Sequence, residues 1–344
     1  MKTIKGFGDS RGNRNSLSLE TFWPRARSYG ITPEIVRIWR ALYSKTKRKQ
    51  FRKMIEFKSK RLSTPRKIKQ SAMFSSFRIA AVVNGLALAI IVFFLVFNGW
   101  RAITWTFLTQ PPMDSMTKGG ILPCIVGTVL LGLGAILVAL PIGIASAIYL
   151  HEYAHPGRAI RIIRLGINNL AGVPSVVFGL FGLAFFVVYM KMGVSILAGA
   201  LTLGALTLPV IIGASEEALR SVPDTYREAS LGLGASKWQT IYKVVLPAAL
   251  PGILTGAILG LSRAAGETAP IMFTAAVFFS PSFPTSPFDE IMALPYHIYV
   301  LATAGTEIEA TRHLQYGTAL VLIVLVFGLN LIAIIFRAKL QKKR

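Results

Sequence analysis

Two groups of residues in this chain have the types and spacing to do chemistry. The first is His151-Glu152-Tyr153-Ala154-His155, an H-E-x-x-H string. On a helix its two imidazoles stand one turn apart, as a zinc site requires, with Glu152 as general base. Read that way, the chain is an intramembrane zinc metalloprotease using His151, Glu152 and His155. Pro156 follows at once, so a helix is expected to end where the second ligand would have to be held. A third ligand is also missing, because the remaining histidines, His297 and His313, fall on the opposite membrane face by the topology below. The expectation is no catalytic residue, no metal and no cofactor.

The second group is Arg263 and Glu267, the two charges inside an otherwise apolar stretch. A charge in the bilayer costs about 2.5–3.5 kcal/mol even on permissive scales, so it must face a partner or an interior path. At about 100° per residue, Gly252, Gly256, Gly260, Arg263 and Glu267 share one narrow helical stripe. Glycine every four residues lets helix backbones approach closely. Two readings follow for the i, i+4 charges. They form a neutral pair that locks a bundle, or Arg263 supplies positive potential on an anion's route while Glu267 holds it in place.

The elements that position these residues are transmembrane helices. Of 344 residues, 53% are hydrophobic and only 15% charged, yet the net charge is +23. Such segregation excludes an ordinary soluble globule, a disordered chain and a disulfide-rich domain. Cys124 stands alone and can form no internal bridge. Six uncharged stretches approach the roughly 20 residues needed to cross a bilayer. They are Ile79 to Trp100, Ile121 to Leu150, Leu165 to Met190, Met192 to Ser215, Val244 to Ser262 running toward Phe279, and His313 to Phe336. The absence of period-two alternation excludes a barrel. The four prolines from Pro270 to Pro287 predict a broken helix or a re-entrant loop there.

Six spans place both termini on one side, and charge identifies that side. Residues 1–78 carry 21 Lys+Arg against four acids, and the tail from Arg337 adds five positive charges. The opposite side sums to about zero, so the termini are expected in the cytoplasm by the positive-inside rule. Residues 1–78 are therefore expected to be a basic cytoplasmic arm, solvated or apposed to lipid, with a short amphipathic helix around Ile35 to Leu42. No nucleic-acid-reading motif accompanies the charge, so no nucleic-acid partner is expected.

Between the fourth and fifth spans lies a loop of about 214–250, with zero net charge from 214 to 243. Ser221 with Asp224, and Ser236 with Gln239, each fit a capping box, and Gly234 can end a helix in the left-handed region. The result is two short helices about a glycine hinge, suited to dock against a partner. Glu228-Ala229-Ser230, Gly234 and Val244-x-Leu246-Pro247 resemble the E-A-A-x3-G-x9-I-x-L-P coupling loop of permeases in binding-protein-dependent ABC importers. Ser230 for Ala and Val244 for Ile depart conservatively. Ala139 to Ile144 with Glu152-Tyr153-Ala154, and Leu170 to Gly182, are similar to phosphate-importer permeases. Arg263-Ala264-Ala265-Gly266-Glu267-Thr268-Ala269-Pro270 with Phe273-Thr274 is similar to their A-type subunit. The resemblance covers residues 79–336.

What the resemblance implies is an all-α, six-helix type I ABC importer transmembrane domain over 79–336, with a cytoplasmic coupling loop and a basic tail at 337–344. Its place would be the bacterial cytoplasmic membrane. The chain would form a phosphate pathway with a second, homologous C-type permease and two ATPase subunits, fed by a phosphate-binding protein on the outer face. Glu228, Ala229, Ser230, Gly234, Leu246 and Pro247 would couple to the ATPase, and Arg263, Glu267 and Thr268 would line the route. The alternative within this class is the permease of another oxyanion ABC importer. The sequence has no Walker loop, so ATP hydrolysis would reside in the partners.

Overall fold

The computed structural model describes residues 64–280, 282–304 and 308–342. The amphipathic segment expected at Ile35 to Leu42 and most of the basic arm lie outside them. The chain divides into two compact units, up to Gly85 and from Leu86 onward. Helix Thr64–Gly99 (α1) runs unbroken through residues 78 and 79, and its side chains from Lys69 through Phe94 are exposed.

After Leu86 the chain is built from helices and short connections. Trp105–Thr109 (α2) is capped by the Thr104 hydroxyl, which accepts from the Phe107 amide. A two-residue hairpin pairs Pro112–Met113 (β1) with Lys118–Gly119 (β2). Leu122–Ile148 (α3) continues as a π-helical turn, Tyr149–Tyr153. Arg158–Ala171 (α4) is amphipathic, and Ser175–Gly182 (α5) continues as a π-helical segment to Tyr189. Ile196–Arg220 (α6) is capped by Ser195. Asp224–Gly232 (α7) and Lys237–Thr240 (α8) form the loop, and a third π-helical turn, Ile241–Val245, leads into Leu246–Gly266 (α9). Ala269–Thr274 (α10), Leu294–Thr303 (α11) and Ile308–Lys342 (α12) complete the chain.

Among the described residues, five helices are long and apolar enough to span a membrane, six if the bent pair α4 and α5 counts as one span. The span expected from Leu165 to Met190 is bent, its two arms meeting at 102°. Pro174 explains the break: it lacks the amide that would bond the Leu170 carbonyl, and its ring would clash there. The segment after Pro270 is a short helix followed by irregular chain. That chain is held by a parallel bridge between Ala276 and Ile291.

Helix α6 is the centre of the bundle. In its most apolar window 61% of residues are buried, against 6% in α12. Its packing relies on close approach, since lipid offers helices no hydrophobic incentive to associate. A Cβ on Gly252 would stand 2.6 Å from the Ala218 methyl, and one on Gly256 2.5 Å from the Ala214 methyl. Gly260 faces Ile136 and Ile211 at 3.3 Å. Gly252 and Gly256 of α9 therefore lie against small residues of α6, whereas Gly260 meets the larger isoleucines of α3 and α6. Around the loop end, Ala147, Leu219, Val245, Ala249 and Ile253 form one buried cluster.

Candidate functional site

The loop between α6 and α9 follows the expected hinge, with one change. Gly234 has φ +84°, and its amide bonds the Leu231 carbonyl. Ser236 and Gln239 form both bonds of a capping box at the start of α8. The expected Ser221–Asp224 box is absent. Pro223 occupies the cap position with extended backbone, and the Ser221 hydroxyl donates back to the Ala218 carbonyl. Asp224 is thereby freed to accept from Arg227 at 3.1 Å.

Arg227 is the loop's anchor. Its Nε and Nη2 donate to Glu152 Oε1 at 3.1 and 2.8 Å. Nη2 also donates to the Leu219 carbonyl, and Nη1 to the Val222 carbonyl and Asp224. Arginine has five N–H donors, so this guanidinium is fully engaged. The side chains of Arg227 and Glu152 are 14% and 9% exposed. The second loop helix has its own contact, Lys237 Nζ at 4.8 Å from the Tyr153 ring centroid. The Ser230 and Thr240 hydroxyls, 2.9 Å apart, join α7 to α8. Glu228, Ala229, Tyr226, Leu231, Leu233 and Trp238 are exposed, while Leu246 and Pro247 are partly buried.

The H-E-x-x-H string is thus taken apart as a metal site. Helix ends at Tyr153, His155 lies beyond it, and Glu152 is bound to Arg227 rather than free to act as a base. No group of three His, Cys, Asp or Glu suited to a metal occurs among the described residues.

The Arg263–Glu267 pair forms, but not as two residues of one helix. Helix α9 stops at Gly266, and Glu267 has extended backbone (φ −76°, ψ 132°). Pro270 lacks the amide that would bond the Gly266 carbonyl, which ends the helix there. Arg263 Nε donates to Glu267 Oε1 at 3.3 Å, the one hydrogen bond of this guanidinium among the described residues. Arg263 is about a third exposed and Glu267 less so. Thr268, partly buried, sits at the cap of α10 with its hydroxyl uncommitted there. Leu246 and Arg263 lie 17 residues apart on α9, about 25 Å along its axis.

Several polar contacts were not anticipated from sequence. Arg227 and Glu152 were each visible in a motif, but their pairing across 75 positions was not. Ser262 donates to Asn330 Oδ1 at 2.6 Å, and Arg337 Nη1 to the Thr255 hydroxyl at 2.6 Å. The signal for these was a polar residue in an apolar span, which needs a partner on a neighbouring helix. Arg164 of α4 pairs with Glu216 of α6 and donates to the Leu150 carbonyl at 2.9 Å.

Comparison with known proteins agrees with this geometry. Residues 139–344 match the family described as "Binding-protein-dependent transport system inner membrane component". The chain is 36% identical over 292 residues to "Phosphate transport system permease protein PstA 1" of Mycobacterium tuberculosis, covering 82% of this chain and 93% of the relative. It is 37% identical over 286 residues to "Phosphate transport system permease protein PstA" of Mycobacterium leprae, covering 80% and 91%. Among solved structures, a chain of a bacterial alginate ABC transporter bound to an alginate-loaded periplasmic protein aligns with TM-score 0.55 at 13% identity. That alignment covers 82% of this chain and 98% of that one. The inward-facing methionine transporter MetNI gives TM-score 0.50 at 21% identity over 64% and 94%. These two share the fold. The chain belongs to the family of inner membrane components of binding-protein-dependent transport systems.

Proposed function

Within that family, we propose that the chain is the permease subunit of an ATP-driven importer of inorganic phosphate. The observation that carries this is likeness over four-fifths of the chain to phosphate transport permeases, together with a loop built as two capped helices about Gly234. A second, homologous permease completes the pathway, one of two ATPase subunits seats against the exposed face of α7, and a phosphate-binding protein delivers substrate outside. Both termini are cytoplasmic, with residues 1–78 as a basic arm and 337–344 as a basic tail.

The loop and the pathway have separate tasks. Glu228, Ala229, Ser230 and Gly234 face or shape the ATPase contact, and Leu246 and Pro247 pass its movement into α9. Arg263 offers positive potential to phosphate, Glu267 orients it, and Thr268 adds a hydroxyl donor. The unengaged N–H groups of Arg263 support this role, because a guanidinium fork matches two phosphate oxygens. By linkage, anything that favours the loop's ATP-bound position must favour the corresponding state of the pathway.

The test is ATP hydrolysis by the reconstituted importer, expected to rise with phosphate-loaded binding protein and not with sulfate or molybdate. Equal stimulation by another oxyanion would reassign the substrate. A permease that retains no ATPase subunit on purification would overturn the reading.

A further inference from the structure

The H-E-x-x-H string leaves a buried acid and an aromatic ring that transport as described above does not use. Both sit in the π-helical turn that ends α3, and both hold the loop. Glu152 takes the Arg227 guanidinium of α7, and Tyr153 takes the Lys237 ammonium of α8. We propose that this turn is the socket through which the coupling loop drives the bundle, with Arg227 and Glu152 as positioning residues for energy coupling. The inference rests on the functional reading above, since it takes the outer face of the loop to meet an ATPase.

Three observations support it. First, the guanidinium ties together three elements: α7, the end of α3 through Glu152, and the end of α6 through the Leu219 carbonyl, with the Val222 carbonyl of the link that follows. Displacement of α7 is therefore carried to two membrane helices directly, and not only along the chain on either side. Second, the two faces of the loop are opposite in character. The inner face buries the ion pair, while Tyr226, Leu233 and Trp238 are more than half exposed on the loop. Third, the two loop helices are joined to each other by Ser230 and Thr240, so the socket grips one body. A lysine could not replace Arg227, because it has three donors and no planar fork.

The experiment uses the whole importer in vesicles, with both permeases, the ATPase subunits and phosphate-loaded binding protein. It compares Arg227→Lys and Glu152→Ala with the unaltered complex by three readouts: retention of ATPase subunits, ATP hydrolysed, and phosphate imported per ATP. Both variants are expected to retain the ATPase and at least about half the hydrolysis, while phosphate per ATP falls about tenfold or more. The double variant is expected to be no worse than the worse single, because the two residues act as a unit. A phosphate-to-ATP ratio within about twofold of the unaltered complex, or losses that multiply in the double variant, would overturn the proposal. Should the ion-pair variants fail to accumulate, Tyr153→Leu carries the test. It leaves the ion pair intact and is expected to lower the ratio about threefold, and an unchanged ratio overturns the socket. Failure of the functional reading is distinct, since the unaltered complex would then lack ATPase subunits or phosphate uptake.

Discussion

Two arginines, Arg227 in the loop helix α7 and Arg263 near the end of α9, could hardly be used more differently. Arg227 spends every donor on the protein, four bonds going to Glu152 and the carbonyls of Leu219 and Val222. Arg263 makes one bond among the described residues, through Nε, and leaves both Nη groups unengaged there. A saturated guanidinium positions chain and has nothing to offer a ligand. An unsaturated one in an apolar setting is stable only beside its counter-ion, and keeps donors for an anion. The difference teaches that a buried arginine must be judged by its spare donors and not by burial.

The strongest way to break the comparison is to disable the loop end alone. Gly234→Pro imposes φ near −65° on a residue at +84° and deletes the amide bonded to Leu231. Uptake is expected to vanish while membrane insertion, followed by protease protection of the spans, stays normal. Retained uptake would mean that the hinge geometry has no part in coupling.

Next comes Arg263, proposed above to line the pathway. Arg263→Ala is expected to lower phosphate uptake about ten- to a hundredfold, the loss of one charge-assisted bond of about 1.5–3 kcal/mol. Arg263→Lys keeps the charge but loses the fork, and should retain severalfold more uptake than the alanine variant. If Arg263→Ala transports normally in a well-expressed complex, the pair is a structural lock and the contrast with Arg227 collapses.

How much of this contrast could be read from sequence depends on the element. The spans were legible because an apolar run of bilayer length has few other fates, and Gly234 because few residues tolerate positive φ. The bend at Pro174 was missed although the proline was visible, since hydropathy alone does not register direction. The Ser221 cap failed because Pro223 already supplied the extended residue that a helix needs at its start. Glu267 kept its predicted partner but left the helix, since Pro270 acts four residues back on a carbonyl. The Arg227–Glu152 pair was illegible, because nothing local ties position 152 to position 227.

Smaller effects test the frame that holds both arginines. Gly256→Leu forces a side chain into the Ala214 contact and should destabilise the bundle by about 1–3 kcal/mol, seen as a lower unfolding temperature in detergent. An unchanged midpoint would show that α9 and α6 adjust freely. Ser236→Ala removes half of the capping box and should cost about 1 kcal/mol locally, read as faster amide exchange across residues 237–240. The smallest effect lies on the far side of the chain. Asp289 accepts from the Thr285 and Ser286 amides and the Thr285 hydroxyl, which hold its carboxyl below the usual carboxylate range. Its contribution is present above the ordinary carboxylate pKa and is lost as pH falls through the lowered value. Asp289→Asn should remove that acid-side dependence.

The glycine seam of α9 has a mechanical consequence. Interlocked side chains act like teeth, and two toothed helices move past each other only by jumping from one notch to the next. Gly252 and Gly256 against Ala218 and Ala214 leave this stretch almost toothless. Low shear resistance is therefore built in along α9 between Leu246 and Arg263, about 25 Å of helix.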